Sequence, residues 1–242
     1  MNTITATELK SNLGKYLNLV QGKEEVYITK NGKKIARLAP IYSSAEEYFM
    51  VKEEADYYGT LTVGYEEFLE ISENSEHRLE YLDGEIYQMT SPSVTHQKIA
   101  GEIFFILKTR LKGSSCEAFI APFDVHFKKT DVKTPDVLQP DVLVACDVDE
   151  KTNEKDRYMG VPTLVVEVLS PSTKSRDAVR KLNTYMLSGV DEYWIVDPKN
   201  KQILVYNFSE FDMDTVKQYE DGMIFSKRFD IEIPFNDIFK DC

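Results

Sequence analysis

The chain is short of the residues that carry redox, zinc and secretory chemistry. It has three cysteines, Cys116, Cys146 and Cys242, in 242 residues. Their number is odd and they lie far apart, so they read as reduced thiols of the cytoplasm, not as a disulfide framework. The three histidines share no zinc-ligand spacing with them, which argues against a structural zinc site. No apolar run approaches membrane-spanning length, and the opening residues Met1-Asn2-Thr3-Ile4-Thr5 do not resemble a secretory leader. There is no internal repeat and no low-complexity tract. Positive charge is scarce too: 29 Lys and Arg face 41 Asp and Glu, a net of −12. Phosphate affinity comes from cationic contacts, so an acidic chain can meet nucleic acid only through local basic patches or bound metal ions.

With 42% hydrophobic and 12% aromatic residues, the chain has enough apolar mass for an ordinary core, which excludes wholesale disorder. Its charge is unevenly placed. Residues 1–40 hold seven Lys or Arg against three Glu, a net of +4, so the remaining 202 residues carry −16. A basic head on an acidic body suggests two units with different partners.

In the head, Thr5 or Thr7 is placed to cap a helix from about Glu8 to Val20, with Leu9, Leu13, Tyr16, Leu17 and Val20 at helical spacing. Gly22 ends it. Strands at 26–29 and 34–38 flank the turn Lys30-Asn31-Gly32-Lys33, and Pro40 closes the unit. Residues 41–60 are acidic and aromatic and read as a linker or a partner-binding segment. The body, 61–242, opens with a short helix at 65–71 and a hairpin, 77–82 and 85–89, turning at Asp83-Gly84. Ser91-Pro92-Ser93 starts a helix to about Leu111. Strands follow at 118–127, 141–146 and 163–169, a helix at 175–188, strands at 192–196 and 203–208, then a further strand and a terminal helical turn. Helices between strands of one mixed sheet predict an α/β body.

Two oily strands are each interrupted by a single carboxylate. Pro140-Asp141-Val142-Leu143-Val144 puts Asp141 at a strand start, and Val165-Val166-Glu167-Val168-Leu169 puts Glu167 in mid-strand. An unpaired buried carboxylate costs on the order of several kcal/mol, so Glu167 needs a partner. A divalent cation is one, because Mg²⁺ takes one or two carboxylates and fills its octahedron with water and phosphate oxygens. An arginine such as Arg157 is another. On the helix after Glu167, Asp177, Lys181 and Tyr185 recur at four-residue spacing and share a face. Lys181 there either projects towards the carboxylates, to orient water and neutralise phosphate charge, or pairs with Asp177 on a solvated surface. Lys174, Arg176 and Arg180 make the same helix a local basic patch that can meet substrate. His96 and Gln97 begin the 91–111 helix, where they face substrate or serve as surface and capping residues.

Taken together, Arg78-Leu79-Glu80-Tyr81-Leu82-Asp83-Gly84-Glu85, Ser91-Pro92-Ser93 with His96, Val166 to Thr173, Lys181 with Tyr185, and Gly189 to Pro198 resemble the Uma family of restriction endonucleases over about 61–240. Pro140-Asp141 with Glu167-Val168-Leu169-Ser170 resembles the PD-(D/E)xK nuclease signature, with Ser170 near the place where lysine is expected. The resemblance implies a restriction-endonuclease-like core whose lysine has migrated to the next helix. Asp141 and Glu167 would then bind Mg²⁺ or Mn²⁺ with the Val168 carbonyl, Lys181 would be the migrated lysine, and Glu80 an added acid.

Ile4 to Lys10, Asn12-Leu13, Val26 to Lys33 and Ile35 to Leu38 resemble the Phd/YefM type of antitoxin. That resemblance implies a head that dimerises, binds operator DNA and meets a cognate toxin, so a homodimer is expected; a small cap packed on the body is the alternative. The combined expectation is a cytoplasmic, metal-dependent endonuclease acting on DNA. RNA as substrate, and a catalytically silent DNA-binding or toxin-neutralising regulator, stand as the rivals.

Overall fold

A computed structural model describes residues 2–22, 24–42, 44–45, 49, 62–130, 132, 134–154, 157–170, 175–208 and 216–240, with the side chains at 175–178 left aside. The chain divides into two compact units, Met1–Leu79 with Gly84–Ile86, and Glu80–Asp83 with Tyr87–Cys242.

The first unit opens with β1 (Asn2–Thr5), α1 (Ala6–Ser11), α2 (Leu13–Gln21), β2 (Val26–Lys30) and β3 (Lys33–Leu38). Thr5 caps α1 by accepting from the Glu8 N–H at 3.1 Å. The single helix expected over 8–20 is two helices. Asn12 leaves helical geometry at φ −133°, and its amide donates to the Glu8 carbonyl at 3.3 Å, ending the first helix before Leu13 starts the second. β1 was not foreseen, since four residues with only Ile4 buried carry little periodicity; it pairs parallel with β2. Asn31 and Gly32 make the β2–β3 turn with φ of 52° and 75°, the left-handed pair that suits the twist of a hairpin. Ile4, Tyr16, Val26 and Ile28 form the core of this part. Farther on, α3 (Tyr65–Glu73) buries Phe68 and Ile71. Residues 41–60, the expected linker or partner-binding segment, lie mostly outside the described residues.

After α3 come β4 (Leu79–Leu82) and β5 (Glu85–Gln88), turning through Asp83 and Gly84 at φ 52° and 85°. The second unit continues with α4 (Val94–Arg110), β6 (Glu117–Ile120), β7 (Val125–Phe127), β8 (Asp136–Leu138), β9 (Val142–Ala145), α5 (Val148–Lys151), β10 (Leu164–Val168) and α6 (Ser175–Ser188). It ends with β11 (Glu192–Asp197), β12 (Gln202–Asn207), β13 (Val216–Tyr219), β14 (Met223–Ser226), β15 (Ile231–Pro234) and α7 (Phe235–Ile238). Among the described residues six strands form the main sheet, in the order β13-β12-β11-β10-β9-β6. Within that sheet only the β10–β11 pair is parallel, the two strands being joined through α6. β8 pairs antiparallel with both β4 and β7. The expected 118–127 strand is therefore two, β6 and β7, which serve different sheets.

Side chains alternate across a pleated strand, and here the alternation sorts the core into two layers. Val142, Val144, Leu164, Val166, Trp194 and Val196 join Ile99, Ile103 and Leu107 of α4 on one face. Leu143, Ala145, Val165, Tyr193 and Ile195 join Tyr185 of α6 on the other. By the same alternation Glu167 belongs with Val165, on the α6 face.

The cysteines depart from expectation. The β6–β9 register sets Glu117 opposite Ala145, so one step outward Cys116 meets Cys146. They are disulfide-bonded, with Cα atoms 3.8 Å apart. Thirty residues of separation concealed a cross-strand pair that exists only once β6 lies against β9. Cys242 lies outside the described residues.

Gly84 carries a local demand. A Cβ at this position would sit 3.2 Å from the Thr62 Cβ, in a left-handed backbone that L side chains resist. Gly84→Ala is expected to cost about 1–2 kcal/mol, read as a lower denaturant midpoint at unchanged slope; an unaltered midpoint would contradict this.

Candidate active site

Four elements bring the candidate residues together. Glu80 stands on β4, Asp141 immediately before β9, Glu167 on β10 and Lys181 on α6. β9 and β10 are neighbours in the sheet, so the start of one lies beside the end of the other. Lys181 Nζ lies 3.0 Å from Glu80 Oε1 and 3.1 Å from Glu167 Oε1. One turn further along α6, the Tyr185 hydroxyl donates to the same Glu167 oxygen at 2.5 Å. The helical spacing of Lys181 and Tyr185 thus delivers two donors to one acceptor. Lys181 does not stand on a solvated surface: its ammonium lies between the two carboxylates, with 12% of the side chain exposed. Nor is Glu167 held by Arg157; its described partners are Lys181 and Tyr185.

Asp141 is fixed from two other directions. His96 Nε2 lies 3.1 Å from Asp141 Oδ2, and the Val168 backbone N–H donates to that oxygen at 2.8 Å. His96 reaches it because Ser93 caps α4, accepting from the His96 N–H at 3.2 Å, and so fixes the first turn. His96 is buried, and its Nδ1 has no hydrogen-bond partner among the described residues. Gln97 is exposed on the same helix. Arg180 is aimed elsewhere, at Asp83, Tyr87 and the Leu82 carbonyl. Lys174 and the Arg176 side chain lie outside the described residues.

Sequence reasoning missed Gln139. Its backbone N–H donates to Glu80 Oε1 at 2.8 Å, and its side-chain amide donates to Asp124 Oδ1 at 2.8 Å. The available signal was a polar residue between the apolar Leu138 and Pro140, two positions before Asp141.

The electrostatics follow from burial. Desolvation raises the Glu167 pKa, Lys181 pulls it back, and the charges of Asp141 and Glu80 push it up again, to about 7. Burial lowers the Lys181 pKa, but Glu167 and Glu80 outweigh it, so the ammonium stays protonated. For His96, burial lowers the pKa and the Asp141 carboxylate more than offsets it, for a net rise.

The donor set suits a hard cation. The described bonds meet Asp141 at Oδ2 and Glu167 at Oε1, which leaves Oδ1 and Oε2 with lone pairs. Among the described residues no group of three His, Cys, Asp or Glu is arranged to hold an ion. An ion bound here would rest on two carboxylates and complete its shell with backbone carbonyl, water or phosphate oxygens. Mg²⁺ takes such sites; zinc, which prefers three or four nitrogen and sulfur ligands, does not.

Residues 65–227 match the family model Uma2, described as "Putative restriction endonuclease". Residues 1–57 match the model of the Phd_YefM antitoxin of type II toxin-antitoxin systems. The uncharacterized protein slr1290 of Synechocystis sp. is 31% identical over 143 residues, 59% of this chain and 72% of that protein. A second uncharacterized Synechocystis protein, sll1609, is 23% identical over 132 residues, 54% of this chain and 72% of its own length. A crystal structure from Anabaena variabilis, described as "a putative nuclease belonging to DUF820", superposes with a TM-score of 0.61 at 19% identity, covering 74% of this chain and 98% of that one. At that identity the likeness speaks for the fold. The described residues contain no helix long and apolar enough to cross a membrane.

The raised Glu167 pKa makes a signed prediction. A carboxyl titrating near 7 when folded binds more protons folded than unfolded between its ordinary value and 7. Stability is therefore lost as pH rises through that window and the deficit is full above it. In metal-free buffer Glu167→Gln is expected to be more stable than the parent at pH 8, by about 1–3 kcal/mol, with the gain vanishing near pH 4. Denaturant melts at the two pH values decide; a variant weaker than the parent at pH 8 would contradict the electrostatic account.

Proposed function

The chain belongs to the Uma2 family, and from that premise we propose that its body is a cytoplasmic, metal-dependent endonuclease that hydrolyses DNA phosphodiester bonds. The observation that carries this reading is the shared lysine: one buried ammonium, Lys181, set between Glu80 and Glu167 beside a third carboxylate, Asp141, held in place by His96 and Val168. A structural ion pair needs one carboxylate per lysine. Lys181 offsets one of the three acids and His96, when protonated, a second; the negative charge that remains is what a cation relieves.

In this reading Asp141 and Glu167 hold Mg²⁺ or Mn²⁺, with the Val168 carbonyl available to the same ion. The cation, when bound, polarises the phosphoryl group and makes water a better nucleophile. The side chains do the rest. Tyr185 and Lys181 fix the plane of Glu167 through one oxygen, and His96 with the Val168 N–H fixes Asp141 through one oxygen, so the two remaining oxygens have set directions. Lys181 orients the attacking water and stabilises charge that develops on the phosphate oxygens. Glu80, anchored by the Gln139 N–H, keeps Lys181 from swinging away. Lys174 and Arg176 supply substrate affinity beside an otherwise acidic surface, while Arg180, committed to Asp83 and Tyr87, does not; His96 and Gln97 stand at the substrate side of α4. The antitoxin-like head, with its net +4 over residues 1–40, binds duplex DNA, dimerises and meets a cognate toxin.

The test is cleavage of plasmid DNA by the purified full chain. Nicking or cutting is expected with Mg²⁺ or Mn²⁺, and none in excess chelator; Asp141→Ala and Glu167→Ala should each abolish it while the protein stays folded. Undiminished cutting in chelator would remove the metal from the account. A wild-type protein that cuts neither DNA nor RNA with any of these ions would leave the silent-regulator reading in its place.

A further inference from the structure

A second polar cluster lies beside the site, on the same helix, and the proposed chemistry does not use it. Lys129 is buried, and its ammonium lies 2.7 Å from both Asp83 Oδ1 and Asp136 Oδ2. Asp136 is buried as well, and its Oδ2 also accepts from the Thr184 hydroxyl at 2.6 Å, while its Oδ1 accepts from the Asp83 backbone N–H at 2.9 Å. Asp83 in turn meets Arg180 Nε at 3.3 Å, and the same guanidinium donates to the Leu82 carbonyl at 3.2 Å and to the Tyr87 hydroxyl. A buried charge network of this size is costly unless each member is satisfied, and the described bonds satisfy it from two elements. Thr184 and Arg180 come from α6; Asp83 and Leu82 come from the β4 hairpin.

Those two elements carry the site's central pair. Arg180 precedes Lys181 by one residue and Thr184 follows it by three. Asp83 follows Glu80 by three. The network therefore ties α6, on either side of Lys181, to the end of β4 that follows Glu80, directly through Arg180 and by way of Asp136 through Thr184, by contacts that touch neither Lys181 nor Glu80. We propose that the Lys129–Asp136–Thr184 chain and the Arg180–Asp83 bond form a clamp that sets Lys181 against Glu80 and Glu167, with Thr184 as a positioning residue. The inference rests on the reading of Lys181 as part of an active site only for its catalytic consequence; the clamp itself is a statement about where α6 is held.

Two readouts separate these claims. The first is the rate at which an amine-acylating reagent modifies Lys181 in the folded, full-length protein, followed by mass spectrometry, and it needs no cleavage. Thr184→Val keeps the shape of the side chain and removes the hydroxyl. It is expected to raise Lys181 labelling by about tenfold or more through local opening, whereas Thr184→Ser, which restores the donor, and Ile103→Val, a cavity in the opposite core layer, stay within about threefold of the parent. The second readout is cleavage. A shift in geometry of about 1 Å away from the chemistry can cost about 10²-fold in rate, so Thr184→Val should lower kcat by about that factor, with KM and Mn²⁺ affinity unchanged and Thr184→Ser recovering the rate.

Labelling of Lys181 that does not change in Thr184→Val, or that rises equally in Ile103→Val, would overturn the clamp. Should Thr184→Val fail to fold, Arg180→Gln breaks the other half at a partly exposed position and must give the same labelling increase, or the clamp is refuted. If labelling responds as expected while the parent cuts nothing, the clamp stands and the nuclease reading is what fails.

Discussion

The body of this protein is organised around a lysine that has been taken out of water. Moving an ammonium into a protein interior costs on the order of several kcal/mol even after relaxation, and Lys181 recovers that cost from Glu80 and Glu167 together. Each contact constrains a different element. Glu80 requires β4 to come within reach of the Lys181 ammonium, and Glu167 requires its carboxylate to face α6 instead of the α4 layer. The pleat of β10 meets the second demand without strain, since Val165 and Glu167 share a face while Val166 and Val168 pack below. A single cation thus connects the hairpin, the sheet and the crossover helix.

That arrangement also explains why the acids do not simply cancel the lysine. Glu167 accepts from Lys181 and from Tyr185 at one oxygen, and Asp141 accepts from His96 and the Val168 N–H at one oxygen. Both carboxylates are held by one edge. The result is a set of acids gathered at the ends of two adjacent strands, where burial and the charges of Asp141 and Glu80 raise the Glu167 pKa to about 7 against the pull of Lys181. The polar clamp through Lys129, Asp136 and Thr184 adds rigidity where flexibility would separate the lysine from its partners.

Much of this was legible in the sequence because it rests on short-range periodicity. A glutamate in a run of valines marks β10, i+4 spacing puts Lys181 and Tyr185 on one face of α6, and Asp-Gly marks the turn after β4. Features that depend on which strands pair were not legible. Cys116 and Cys146 meet only because β6 lies in register against β9, and Gln139 reaches Glu80 only because β8 lies beside β4. His96 gave a weak signal, since a histidine at a helix start is usually a surface residue; its pairing with Asp141 requires α4 to be packed on the sheet. The Lys129 clamp was hidden for the same reason, its members being drawn from positions 83, 129, 136, 180 and 184.

The central claim is that Lys181 acts in the chemistry and does not hold the metal. It is tested most directly by measuring Mn²⁺ affinity by titration calorimetry and DNA cleavage rate side by side on Lys181→Ala and the parent. Loss of a charge-stabilising group of this kind costs on the order of 10²–10³ in rate, so cleavage should fall by that factor or vanish while Mn²⁺ still binds. A Lys181→Ala protein that cuts DNA at the parental rate would contradict the account, and would reduce the lysine to a bolt between two strands and a helix.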